Sequence, residues 1–267
     1  VVEVMHLTIS EYGSFLGLEG FRLIVKNKGE LIADYPLRRV KTVSINKPGV
    51  SLSSDLIAIC GAQGIKIFFY DTRGRLASCL GGAQQHAVVR VRERQFSFLA
   101  RPEARILATR FIQGKLRNQR TVLLYFSKYH QSKEGSLDIA AVALLDLVKR
   151  LQVNQGLNHP QWRERLLGIE GYGARLYWNV LKEINLLPAP FEGRTGRGAT
   201  DVVNQALNLG YSILTSYIWS SVLNAGLEPF AGVLHTERPG KPSLVLDIME
   251  NYRAWCVDRC VIKARSR

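Results

Sequence analysis

The run Phe21-Arg-Leu-Ile-Val-Lys-Asn-Lys-Gly-Glu-Leu-Ile-Ala-Asp-Tyr35 sets the character of the first part of the chain. Two segments rich in β-branched and aromatic residues flank Asn27-Lys-Gly29, a turn that tolerates positive φ, so the stretch predicts a β-hairpin. Runs of the same kind lie around it: Leu7-Thr-Ile, Val40-Lys-Thr-Val-Ser-Ile and Ile65-Lys-Ile-Phe-Phe-Tyr. Ser53–Gly61 departs from the pattern. Ser53, Ser54 and Asp55 supply caps, Leu56, Ile57, Ile59 and Cys60 supply apolar residues, and Gly61 closes a short helix. After Asp71-Thr-Arg-Gly74 a second β region is expected at Leu76–Leu80 and Val88–Val91. From about Arg94 the texture changes to helical spacing, over Arg101–Tyr129, Leu137–Leu151, Pro160–Ile184, Thr200–Ala225 and Ser243–Lys263, with loops at Pro188–Ala199 and His235–Pro242. Strands followed by a run of helices predict an α+β protein with an N-terminal β-rich domain, 1–93, and an all-helical C-terminal domain, 94–267.

The chain has 267 residues, 46% of them hydrophobic, which suffices for two packed cores. No uninterrupted apolar run reaches membrane-spanning length, and Leu137–Val148 is too short and carries Asp138 and Asp146, so no membrane partner is expected. The start, Val1-Val2-Glu3-Val4-Met5, lacks the basic and apolar regions of a signal peptide. Cys60, Cys79, Cys256 and Cys260 read as structural thiols. Cys256 and Cys260 lie one helical turn apart but lack a second ligand pair for zinc, and a reducing cytoplasm fits this usage. The net charge is +14, and it is uneven. Residues 1–93 carry 12 Lys/Arg against 8 Asp/Glu, whereas residues 94–267 carry 24 against 14. The helical part is therefore the expected footprint for a polyanion such as double-stranded DNA, and a small-molecule metallohydrolase is disfavoured.

The chemistry concentrates in His235-Thr-Glu-Arg-Pro-Gly-Lys-Pro-Ser-Leu-Val-Leu-Asp-Ile-Met-Glu-Asn-Tyr-Arg253. Asp247 and Glu250 are three apart and share a helical face, surrounded by Leu244, Val245, Leu246, Ile248 and Met249. A carboxylate in that setting needs a cation or a hydrogen-bond partner. A returning loop could bring His235 over the face, and Glu170, in Leu167-Gly-Ile-Glu-Gly-Tyr-Gly-Ala-Arg175, is the best further donor. Oxygen and nitrogen donors together suit Mg²⁺ or Mn²⁺. Gly171 and Gly173 inside a helix imply a reason, such as close approach by another helix.

Glu170 in Gly-Ile-Glu-Gly, Val-Leu-His235 with its Arg-Pro-Gly-Lys-Pro-Ser-Leu loop, and Leu-Asp-Ile-Met-Glu250-Asn-Tyr-Arg together resemble the CRISPR adaptation integrase family. Gly114-Lys-Leu-Arg-Asn-Gln-Arg120 and Thr200-Asp-Val-Val-Asn204-Gln-Ala-Leu-Asn-Leu-Gly-Tyr211 extend the resemblance over nearly the whole chain. It implies a metal held by Glu170, His235 and Glu250, with Asp247 behind them or as an alternate ligand. It implies a metal-dependent endonuclease and integrase that inserts captured fragments as spacers by transesterification, with nuclease activity on branched DNA. It also implies homodimers bridged by a small ferredoxin-like adaptation partner. Some members are fused behind a reverse transcriptase, and a start at Val1 without Met is compatible with that. The family often has Pro-Pro where this chain has Gly198-Ala199, which suggests a looser loop.

Candidate phosphate contacts are Lys115, Arg117 and Arg120 near one helix face, Arg194 and Arg197 in a Gly-rich loop, and Arg238 and Lys241 after the histidine. The rival readings are a non-catalytic basic DNA-binding scaffold of the same fold and a nuclease acting on branched DNA in repair. Retention of all three candidate ligands argues against the scaffold.

Overall fold

The computed structural model describes residues 5–72, 74–83, 88–129, 135–151, 161–188, 190–196, 198–236 and 238–265. Two compact units divide the chain, Val1–Val88 and Val89–Arg267.

Among the described residues the first unit holds two four-stranded sheets. One orders β1 (Met5–Ile9), β5 (Val40–Ile45), β7 (Lys66–Tyr70) and β8 (Leu76–Leu80), parallel except for the antiparallel β7/β8 pair. The other orders β4 (Glu30–Pro36), β3 (Arg22–Asn27), β2 (Ser14–Glu19) and the two-residue β6 (Ser51–Leu52), with β6 parallel to β2 and the rest antiparallel. The β3/β4 hairpin turns at Lys28 and Gly29, at φ 50° and 86°, which is the two-residue turn that matches strand twist. Strand alternation and helix α1 (Ser54–Ala62, capped by Ser53 on the Leu56 N–H) enclose a core that includes Leu16, Leu23, Val43, Leu56 and Ile67. Strand β2 escapes the sequence reading because Ser14 and Gly17 dilute its β signal. A Cβ on Gly17 would sit 2.8 Å from the Phe15 ring, so the small residue is a packing requirement.

One expected strand is a helix. Val88–Val91 opens α2 (Val88–Leu99), and the partly buried positions Val88, Val91, Gln95 and Phe98 recur with helical period. Gln95 fixes the helix through bonds to the carbonyls of Glu228 and Ala231 and from the Glu228 N–H. The division between units consequently falls at the head of α2 rather than at residue 93.

In the second unit α3 (Glu103–Ser127) packs against α4 (Ser136–Arg150) and α5 (Trp162–Glu183) through Ala108, Ile112, Leu116 and Leu123. Helix α6 (Val202–Asn224) packs on α7 (Ser243–Met249). Gly173 explains itself: a Cβ there would come within 2.3 Å of Leu116. Gly171 meets nothing within 4 Å, so close packing accounts for one of the two glycines. The single helix expected over Ser243–Lys263 is interrupted. After α7 the chain turns at Glu250–Tyr252, runs as a π-helix over Arg253–Asp258, and ends in α8 (Arg259–Arg265). No Pro or Gly marks the break. It is made by docking on α3, where the Asn118 side chain donates to the Asn251 carbonyl (2.5 Å) and Gly114 leaves room for the Asn251 side chain. Among the described residues no helix is long and apolar enough to cross a membrane.

Candidate metal centre

Asp247 organises the first half of the site. Its side chain is fully buried, and both oxygens are occupied. Oδ2 accepts from the Val233 and Leu234 N–H groups (2.6 and 3.0 Å), and Oδ1 accepts from the His235 N–H (3.0 Å) and the His235 ring at Nδ1 (2.6 Å). Loop 232–235 can wrap this closely only because residue 232 is glycine. A Cβ there would lie 2.7 Å from Asp247 Oδ2 and equally near Ser243. With Nδ1 committed to the carboxylate, Nε2 is the nitrogen left for a metal. In this arrangement Asp247 has no acceptor site to spare, and its bonds fix both the backbone and the ring of His235.

The second half joins two helices. Lys115, on α3, is buried, and its ammonium pairs with Glu170 Oε1 of α5 and lies 2.7 Å from Glu250 Oε2 at the end of α7. Arg253 holds the other Glu250 oxygen, Oε1, at 2.6 Å. Burial alone would raise the Glu250 pKa, but the charges of Lys115 and Arg253 outweigh it and the carboxyl is held below its ordinary range. Burial works against the Lys115 charge as well, and Glu250 and Glu170 reverse that, leaving its pKa raised. Glu250 Oε2 is buried, and with the ammonium as its charge partner it keeps acceptor capacity on a second lone pair.

These residues fit a hard divalent cation: two carboxylates that one cation already bridges, a buried carboxylate oxygen with acceptor capacity left, and an imidazole with a fixed tautomer. Asp247 lies on α7 and Glu250 at its end, three residues on, so the two halves are neighbours. Among the described residues no three His, Cys, Asp or Glu groups yet close on one point, and the place between the two glutamates is taken by the Lys115 ammonium.

Lys115 is therefore not on a solvent face with Arg117, as its spacing suggests. Arg117 is exposed and Arg120 half-buried; Arg238 is exposed and Lys241 partly so. Arg194 is not free either. It donates to Asn204 Oδ1 (3.0 Å) and Asn208 Oδ1 (2.6 Å) and lies over the Tyr211 ring (5.0 Å). Asn204, buried and capped by Asp201, also binds the Gly193 carbonyl, and Asn208 binds the Gly196 carbonyl. These bonds hold a loop that its glycines alone suggest is loose. Arg197 lies outside the described residues. Sequence reasoning missed a cavity of about 400 Å³ beside His235, where Arg105 and Arg163 lie over the Trp162 ring at 5.7 and 4.7 Å. Interleaved Arg and Trp were its only signal.

A different buried carboxylate stands behind the site. Asp258 accepts from the Tyr211 hydroxyl (2.5 Å) with the fully buried Tyr177 beside it, and Arg253 also lies over Tyr211, at 5.1 Å. Burial pushes Asp258 up to about 7 against the opposing pull of Tyr211, Arg253 and Arg194.

A β-rich unit followed by a helical unit that gathers two glutamates, a histidine and its aspartate is a nuclease-like arrangement on a known plan. The family profile described as CRISPR associated protein Cas1 matches residues 7–267, and the chain belongs to that family. It is 48% identical over 263 residues to the CRISPR-associated endonuclease Cas1 1 of Francisella tularensis subsp. novicida (strain U112), covering 98% of this chain and 79% of that protein. The identically named protein of Archaeoglobus fulgidus is 33% identical over 276 residues, covering 97% and 77%. The fold is shared with a casposase bound to integration product (TM-score 0.79, 23% identity, 99% of this chain and 73% of that one). It is also shared with a chain of a Cas6-RT-Cas1–Cas2 complex (TM-score 0.77, 24% identity, 100% and 28%). The resemblance carried by the sequence motifs is thus borne out at the level of family and fold.

Proposed function

We propose that this chain is a divalent-metal-dependent DNA endonuclease and integrase that inserts captured fragments into a CRISPR array. The observation that carries this reading is the meeting of Glu170 and Glu250 around one cation beside an imidazole held by Asp247. Glu170, Glu250 and His235 Nε2 would hold Mg²⁺ or Mn²⁺. When bound, the ion supplies Lewis acidity toward the phosphoryl oxygens. In the transesterification the 3′-hydroxyl of the fragment forms a new P–O bond as the P–O3′ bond of the target strand breaks, and the departing 3′-oxygen takes up a proton. Asp247 fixes the His235 ring, and Arg253 fixes the Glu250 carboxylate, so both donors are in place before DNA arrives. Arg117, Arg238 and Lys241, with Arg105 and Arg163 at the neighbouring cavity, offer charge to the phosphate backbone of double-stranded DNA.

Joining two fragment ends requires two such sites. The first unit offers a self-pairing surface. β4 is an outer strand, and Leu31 and Ile32 on it are 57% and 54% exposed, with Phe21 at 77% nearby in sequence. We assign the homodimer contact to this edge and a small ferredoxin-like CRISPR partner to the dimer, with the cytoplasm as the compartment. Light scattering should return a dimer, and a concentration-independent monomer refutes the contact. Function is tested by strand transfer from a labelled duplex into supercoiled target. Product is expected with Mn²⁺, none with chelator, and none from Glu170→Gln, which should still bind DNA. Product that survives chelation refutes the metal mechanism.

A further inference from the structure

The residue that sequence spacing assigns to a DNA-facing surface lies instead between two acids. Lys115 is only 9% exposed, and its ammonium touches Glu170 and Glu250 together. Its delivery is built into the backbone. Gly114, the preceding residue, is where a Cβ would collide with the Asn251 side chain, and Asn118, one turn on, donates to the Asn251 carbonyl. These contacts fix the register of α3 against the end of α7, and Lys115 follows from that register. Its ammonium lies 2.7 Å from Glu250 Oε2, so that oxygen is neutralised and keeps a second lone pair.

We propose that Lys115 is a resident counter-cation of this site: it holds Glu170 and Glu250 together in the metal-free protein and yields its place when the divalent ion binds. The inference rests on the metal-binding reading given above. Charge arithmetic supports it. Glu170 and Glu250 are balanced by Lys115 and Arg253, so the cluster is neutral as it stands. Adding a divalent ion while the ammonium stays would leave two buried like charges a few ångströms apart, where screening is weak. Removing the ammonium without a replacement would leave two facing carboxylates with Arg253 alone to offset them, which folded proteins tolerate poorly. The two cations therefore compete for one place, and Lys115 is a positioning residue for the metal-free state.

Mn²⁺ titration calorimetry of the DNA-free protein tests this without any measurement of turnover. Lys115→Met should bind Mn²⁺ at least about tenfold more tightly than the unmodified chain. Its metal-free melting temperature should fall by about 5 °C, and saturating Mn²⁺ should restore most of it. Equal or weaker Mn²⁺ binding by Lys115→Met overturns the proposal, because it makes the lysine a strut or a helper of the metal rather than its rival. Should that variant fail to fold, the unmodified chain still answers. Acylation by an N-hydroxysuccinimide ester, read by peptide mass spectrometry, should be slow at Lys115 without metal and at least about threefold faster with Mn²⁺ as burial is relieved. Unchanged or slower labelling overturns the proposal. Glu170→Gln separates the two layers. If it leaves Mn²⁺ affinity unchanged, the metal site itself is misassigned and both readings fall. If it abolishes binding while Lys115→Met changes nothing, only the role given to Lys115 falls.

Discussion

Glu250 and Asp258 lie on the same C-terminal segment, both are buried, and their acidities move in opposite directions. Glu250 meets an ammonium and a guanidinium directly and is held below its ordinary range. Asp258 meets a phenol, with its cations farther off, and rises to about 7. Burial costs each carboxylate its hydration; the nearest partner decides whether the charge survives. The first arrangement keeps a buried anion ready for a cation. The second keeps a proton in the core and ties Tyr211 to the π-helical turn behind Glu250.

Neutralising each acid without changing its shape should separate them most sharply. Glu250→Gln is expected to lower Mn²⁺-dependent strand transfer by about a hundredfold or more, since a ligand is lost outright, while DNA affinity changes less than about twofold. Asp258→Asn at pH 8 should retain activity within about threefold. Comparable losses in the two variants would mean that Asp258 belongs to the working site and that the contrast is wrong.

The pH dependence of folding gives the next largest effect. Asp258 has a folded pKa above its ordinary 3.8, so between about pH 4 and 7 the folded chain keeps a proton that the unfolded chain releases. Stability therefore falls as pH rises through that window. For a shift of this size the change is of order 2–4 kcal/mol. Glu250 has the opposite sign: its depressed pKa contributes stability above its ordinary 4.5, lost as pH falls below it. Melting curves from pH 4.5 to 8 should show Asp258→Asn gaining on the unmodified chain as pH rises. Parallel curves would remove Asp258 from the titrating groups.

Much of this architecture is legible in the sequence, and the remainder is hidden for identifiable reasons. Hairpin β3/β4 and the α3, α5 and α6 helices follow from local periodicity and turn residues. Asp247 and Glu250 stand out because carboxylates amid apolar residues require partners, Glu170 because two glycines lie beside it in a helix, and His235 because it precedes the acidic pair. Lys115 misleads because a helical wheel gives its angle but not which neighbour covers that side. The break after Met249 is invisible because it is imposed by Asn118 and Gly114, far away in the chain. Asp258 and Tyr211 pass unnoticed since only tertiary packing tells whether a lone Asp is buried. Val88–Val91 is misread as strand because β-branched residues dominate a short window, whereas the period that decides extends to Phe98.

The smallest effect concerns Asp247, whose oxygens are both taken by loop 233–235. Asp247 accepts four hydrogen bonds, two at each oxygen. An Asn there has one acceptor oxygen, and in either amide orientation its NH₂ must face two N–H donors. Either loop 233–234 loses its anchor, or His235 loses both its backbone bond and the partner that sets its tautomer. Both outcomes loosen the imidazole without removing a ligand. Asp247→Asn should therefore weaken Mn²⁺ binding by about tenfold to a hundredfold, the range typical of groups that orient metal-binding histidines. Strand transfer should recover to within about threefold once Mn²⁺ is raised to saturation. A titration of activity against Mn²⁺ distinguishes the alternatives. Loss that no concentration rescues would make Asp247 a ligand equal to Glu250, contrary to its full set of hydrogen bonds. An unchanged curve would show that His235 keeps its orientation unaided, and the first half of the site would then owe nothing to the buried aspartate.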